Sequence, residues 1–244
     1  MIRLTPSLAL LAAGALCIPF AATATTLYPL ERTCPVGGEK YASVGIGSTT
    51  QLGMRLDLRP MGPAANLPTP VCPNGFVVFK DETRFTEAEI AKLTPLVASD
   101  AFQRARQEHT EAYRVVLERR ALGEDDAALA FVLLKAAWEA ETADFAQQRD
   151  RYLQEAFDAF TERSKAATAH DDAWWTSGLM RAEIERQRGH FDAAVALLDA
   201  LPQDELAQDD VKRDVADQIR RHADAADAAP ARFERKPRAE PNDD

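Results

Sequence analysis

The sequence is poor in aromatic residues, which make up 7% of 244 positions, and it has only three cysteines. It has no excess of positive charge: 29 Lys and Arg stand against 39 Asp and Glu, a formal net charge of −10. A negative chain with no Lys/Arg cluster repels phosphate backbones, so nucleic-acid binding is not expected. After residue 24 no apolar run approaches the roughly 20 residues that a spanning helix needs. Glycine and proline are almost missing from 81–227, where only Gly123, Gly178, Gly189, Pro95 and Pro202 occur. That stretch is therefore free to be nearly all helix.

The first 24 residues carry one charge, Arg3, then the apolar run Leu8–Cys17 and the small-x-small triplet Ala22-Thr23-Ala24. This pattern predicts a secretory signal peptide over 1–24, cleaved before Thr25, and a periplasmic or secreted protein with no stable membrane insertion. Cleavage removes Cys17 and leaves Cys34 and Cys72. Two cysteines in an oxidising compartment read as one disulfide, worth about 4 kcal/mol on the chain-entropy model. The alternative is a redox pair, but such pairs usually sit as Cys-x-x-Cys, and these are far apart.

Residues 25–80 hold seven of the eleven glycines and seven of the fourteen prolines. Loops and short strands are expected there, with strand candidates at 41–44, 54–58 and 76–79. The two cysteines have matching surroundings, Cys34-Pro-Val-Gly37-Gly38 and Cys72-Pro-Asn-Gly75. A zinc ribbon has two Cys-Pro-x-Cys-Gly knuckles. Here glycine takes each second ligand position and no histidine lies nearby, so neither a metal nor another cofactor is expected. The order CPVGGEKY, LDLRPMGP, VCPNGFVVFKDETRFTEAEI and then paired helices resembles an uncharacterised bacterial family. Its members join a zinc-ribbon-like N-terminal part to tetratricopeptide-like helices. The resemblance spans about Thr33 to Leu201 and implies an architecture but no activity; Gly37 and Gly75 depart from the metal-binding pattern.

In the helical half, Thr86-Glu-Ala-Glu89 is a capping box opening a short helix that Pro95 should interrupt. A long helix is expected over 99–120, then one after Glu124-Asp-Asp126, and others near 147–167, 173–188, 191–201 and 211–226. Ala182, Gly189, Phe191 and Ala194 stand at offsets 0, 7, 9 and 12, the spacing of a tetratricopeptide turn. Ala130–Glu141 and the helix that follows look like a degenerate copy. Any antiparallel hairpin shares much of this logic, so a generic bundle stays open. Residues 228–244, with three prolines and little to bury, read as a disordered tail.

Adjacent helical positions point about 100° apart, so Trp174 and Trp175 can hardly face one core. Trp175 fits the buried stripe. Trp174 is then either an exposed binding anchor or buried in a second seam, while Trp138 reads as core. The four histidines are scattered, and His170-Asp171-Asp172 precedes a helix, where Asp is an ordinary N-cap. No nucleophile elbow or phosphate loop is present.

The expected molecule is thus mainly α: a small, loop- and β-rich, disulfide-stapled N-terminal module over 25–80, followed by an antiparallel, tetratricopeptide-like α-hairpin array over 81–227. The function expected is non-catalytic, an adaptor of the cell envelope holding an envelope protein or peptide in a helical groove. The alternative is an envelope enzyme or thiol-redox protein using Cys34 and Cys72.

Overall fold

A computed structural model describes residues 26–63, 67 and 69–235. The expected signal peptide and Cys17 lie outside these residues, as do 236–244 of the expected tail. The described chain is mainly helical, with short antiparallel strands near its start. Strands β1 (Thr26–Thr33) and β2 (Lys40–Ser48) form a hairpin, and β3 (Gly53–Met54) pairs with β4 (Pro60–Met61). Helices follow as α1 (Glu87–Ala98), α2 (Asp100–Glu108), α3 (Glu111–Leu122), α4 (Asp126–Thr142), α5 (Ala146–Ala166), α6 (Asp172–Gln187), α7 (Phe191–Asp199), α8 (Gln203–Leu206) and α9 (Asp210–Asp224). None is long and apolar enough to cross a membrane.

The helix starts follow their caps. Thr86 and Glu89 close the capping box of α1. That helix runs through Pro95 rather than stopping there, because the proline falls in its final turn and removes a single backbone donor. The single helix expected over 99–120 is two. Thr110 leaves helical geometry with ψ 163° and its hydroxyl accepts from Tyr113 N, restarting the chain as α3. Asp125, Asp171 and Asp209 cap α4, α6 and α9 in the same manner. The acidic clusters at 124–126, 170–172 and 209–210 are thereby largely accounted for as helix starts.

Helices α3, α4, α6 and α9 end in the same closure, with Gly123, Asp144, Gly189 and Ala226 as its left-handed residues, and at the α4–α5 and α6–α7 links, 45 residues apart, the likeness extends to the start of the next helix. At the α4–α5 link, Ala143 (φ −88°, ψ 1°), Asp144 (φ 58°) and Phe145 (φ −95°, ψ 71°) close the helix. At the α6–α7 link, Arg188 (φ −86°, ψ −3°), Gly189 (φ 81°) and His190 (φ −89°, ψ 63°) do the same. The bonds Phe145 N to Ala140 O (2.8 Å) and Asp144 N to Glu141 O (3.2 Å) reappear as His190 N to Glu185 O (2.9 Å) and Gly189 N to Arg186 O (3.0 Å). This is a Schellman closure whose last residue is already the cap of the next helix. Ala137 and Ala182 occupy matching buried positions seven residues before the left-handed residue, where a small side chain lets the helices approach. Ala194 is also buried, and Phe191 is half-buried at the head of α7.

The apolar clusters do not divide at residue 80. One contains Cys34, Val36, Tyr41, Cys72 and Phe76 together with Leu93 and Val97 of α1 and Phe102 of α2. The other, built on α3 to α9, takes Leu56 from the N-terminal stretch. Residues 25–80 are thus shared between two cores, as expected of a turn-rich segment too small to bury a core alone.

The C-terminal segment corrects a second expectation. Up to Glu234 it is packed, where a disordered tail was expected from 228: Leu56 N donates to Ala231 O (2.9 Å) and Phe233 N to Met54 O (2.9 Å). Gln218 on α9 bonds both backbone groups of Glu234. Ala231 and Phe233 pack on the main core, which a reading of charge and proline content alone passes over.

Candidate binding cleft

Cys34 and Cys72 are joined by a disulfide with Cα atoms 5.9 Å apart. Each cysteine opens a tight turn. Cys34 N donates to Glu39 O (2.9 Å) and Gly38 N to Cys34 O (3.2 Å); Cys72 N donates to Phe76 O (2.8 Å) and Gly75 N to Cys72 O (2.9 Å). Gly37 and Gly75 have φ of 102° and 95°, a region that disfavours side chains. The neighbours also fill the space: a Cβ at 37 would stand 2.6 Å from Asn74 Nδ2, and one at 75 would stand 2.5 Å from Arg106 Nε. Asn74 Nδ2 instead donates to Val36 O (2.7 Å), tying the two turns together beside the disulfide. Both cysteines are buried, at 2% exposure, so an attacking thiolate reaches them only if the turns open.

Helix side chains bind the second turn. Gln103 Nε2 donates to Asn74 O (3.1 Å), Arg114 Nη1 to Gly75 O (2.8 Å), and Val77 N donates to Glu118 Oε1 (2.8 Å). Glu118 is fully buried and its Oε2 has no hydrogen-bond partner among the described residues. Burial pushes its carboxyl up to about 9, against the weaker pull of the Val77 amide and Arg114.

This anchoring holds the chain from Thr69 to Lys80 across the face of α3 and α4, leaving clefts along the seam. One, about 560 Å3, lies between Val78-Phe79-Lys80 and the helices. A second, about 570 Å3, and a third, about 390 Å3, share Arg59, Leu67, Lys135 and Trp138 as walls. Lys135 borders all three, and its Nζ donates to Thr69 Oγ1 (3.0 Å) across the seam. Glu139, one turn on, accepts from Ala112 N at the start of α3 (2.7 Å). Burial raises its carboxyl above the usual range, with Ala112 N and Lys135 pulling the other way. Arg59 closes the far end. Its guanidinium donates to Trp138 O (3.4 Å), Glu141 Oε1 (3.2 Å) and Thr142 Oγ1 (2.9 Å), a cation set beside the C-terminal end of α4.

Trp138 and Trp174 are both half-buried and packed against the main core. Trp138, expected in the core, is half-buried and walls two clefts, with an indole N–H that is buried and lacks an acceptor among the described residues. Trp174 is half-buried, stacked on His170 at 5.0 Å and edge-on to Trp175 at 5.3 Å. The imidazole of His170 is fixed by Glu205 at 2.6 Å, and Trp174 lines none of these three clefts. Neighbouring helix positions do diverge, as expected, but the residue before the helix folds back over the outer ring. Sequence spacing carries no signal for that.

The structure gives each histidine its own partner: His109 bonds Tyr152 OH (2.8 Å), His170 Glu205, His190 Glu185 (2.6 Å) and His222 Asp227 (2.8 Å). Comparisons with protein-family models, curated proteins and solved structures find no match.

A buried ionic network ties the cleft's back wall to both chain ends. Arg55 pairs with Asp57 (2.6 Å) and Glu141 (2.6 Å), and Gln187 Nε2 donates to Asp57 Oδ2 (3.1 Å) and Glu183 Oε1 (2.9 Å). Arg186, wholly buried, forks onto Glu183 (2.7 and 2.8 Å) and donates to Ala229 O (3.0 Å). Glu141 sits at the end of α4 and Glu183 and Arg186 at the end of α6, where the two matching turns begin, while Arg55 and Asp57 come from the segment after β3.

Proposed function

We propose that this protein is an exported, non-catalytic accessory module of the cell envelope that holds an extended polypeptide segment in the clefts along α3 and α4. The observation carrying this reading is the meeting of three adjoining clefts at Lys135, which we read as successive subsites for the side chains of an extended segment. Trp138 and Leu67 offer apolar contact, while Lys135 and Arg59 add cationic character. On this reading α4–α5 and α6–α7 are two copies of a tetratricopeptide-like hairpin, supported by their matching turns. The paired Cys-Pro turns are read as a ribbon that has exchanged metal for a disulfide, a departure from the zinc-ribbon pattern of the family it resembles.

Selection of linear peptides on the immobilised mature protein tests it. A shared motif whose binding is lost in Lys135→Glu, with an unchanged melting temperature, is the expected result. Enrichment of no motif, or binding indifferent to Lys135→Glu, overturns the reading. Lys135 is half-exposed and its substitution removes one hydrogen bond and a 3.7 Å pairing with Glu139, so folding should survive.

A further inference from the structure

The β1–β2 hairpin has two unlike faces. Register pairs Leu27 with Ile46, Pro29 with Val44 and Glu31 with Ala42 on one face, all of them exposed. On the other face Tyr41 is buried and Tyr28 lies over Gly45. That covered face is pinned to the body through Glu82, which takes Arg32 Nη1 (2.7 Å) and Tyr41 OH (2.7 Å). The outer face therefore presents five apolar residues, Leu27, Pro29, Ala42, Val44 and Ile46, to solvent.

The two outer edges also differ. Directly opposed residues in an antiparallel pair exchange either both backbone bonds or neither. Pro29 has no N–H and sits opposite Val44, so that pair suits a non-bonded position, with Val44 N–H and C=O directed outward. By alternation Ala42 and Ile46 direct theirs outward too. Proline blunts the β1 edge, as edge strands commonly require. The β2 edge has no proline, and no backbone group of the described residues pairs with it beyond β1.

We propose that the β2 edge pairs with the β2 edge of a second copy of this chain, making a four-stranded antiparallel sheet about a two-fold axis at Val44. Val44 is the middle of the three outward-directed residues Ala42, Val44 and Ile46, and a bulge that skips Gly47 ends the regular ladder after Ile46, so this register overlaps residues 42–46. It places Val44 against Val44 of the partner and Ala42 against Ile46, with a large residue meeting a small one and no charges opposed. On the inner side Ser43 meets Gly45. Growth stops at the dimer because the sheet then ends in two β1 strands, each blocked by its proline. A single strand-to-strand contact is below the area of permanent interfaces, so the dimer is weak and concentration-dependent.

Sedimentation equilibrium of the mature protein from about 10 μM to about 1 mM tests this. The expected result is reversible monomer–dimer exchange, weakened about tenfold or more in Val44→Lys, which sets two ammonium groups face to face. A second measurement guards against a disturbed hairpin: Val44→Cys joined by a short bismaleimide should give a covalent dimer, while Glu31→Cys on the blocked strand should not. A monomer throughout that range overturns the proposal. So does a dimer indifferent to Val44→Lys, or one that crosslinks equally from residue 31.

Discussion

Glu118→Gln should stabilise the protein more as pH rises. Glu118 is fully buried, with one carboxyl oxygen accepting from Val77 N and the other without a partner among the described residues, and burial pushes its carboxyl up to about 9 from 4.5. Between these values the folded chain holds a proton that the unfolded chain has released. Stability therefore falls with pH across that window and levels off above it. At pH 7 the retained proton costs about 3 kcal/mol relative to a solvated carboxylate, and below pH 4.5 it costs almost nothing. Glutamine keeps the amide acceptor and the shape but does not titrate, and the groups common to both proteins cancel in the difference. Urea unfolding of both at pH 4.5, 6 and 7.5 should give a gap that widens in favour of the variant by about 3 kcal/mol. A gap that is constant or narrows would refute the reasoning. It would mean that Glu118 is ionised in the fold, with Arg114 as its true partner.

Reducing the Cys34–Cys72 bond, or replacing both with Ser, should cost about 4 kcal/mol in chemical unfolding, since it releases a loop of 38-residue separation. Arg186→Met leaves Glu183 buried without its fork and should cost about 3–5 kcal/mol, seen as a large fall in melting temperature. Ending the chain at residue 227 should lower the melting temperature, because Leu56 and Gln218 lose their partners; an unchanged curve would mean the segment is not packed in solution. Trp174→Ala should destabilise by a measurable 1–2 kcal/mol, roughly, through lost packing on Trp175, and leave peptide binding intact.

Much of the helical half was legible in the sequence because its signals are local. Thr86-Glu89, Asp125, Asp171 and Asp209 are caps whose chemistry acts within a turn, and the stripes through Leu129–Ala137 and Tyr152–Phe160 face the core as their spacing demands. The disulfide was legible from cysteine count, since only Cys34 and Cys72 remain after the expected cleavage. What escaped is long-range. The strap from Thr69 to Lys80 is placed by Gln103, Arg114 and Glu118, which carry no mark of that role. Trp138 looks like any core residue in a helical stripe, and becomes a cleft wall only when the strap stands off from α4. The segment after residue 228 is polar enough to read as tail, yet two side chains, Ala231 and Phe233, suffice to dock it once the backbone of Met54 and Leu56 offers partners.

The central claim is that a partner segment lies in the seam at Lys135. A photo-crosslinking amino acid placed at residue 135 of the full-length protein, expressed in its native cell, tests it most directly, with the exposed Gln208 as the control position. The account predicts a discrete higher-mass adduct from position 135 and none from 208. The absence of an adduct at 135, or the same adduct from both positions, would contradict it.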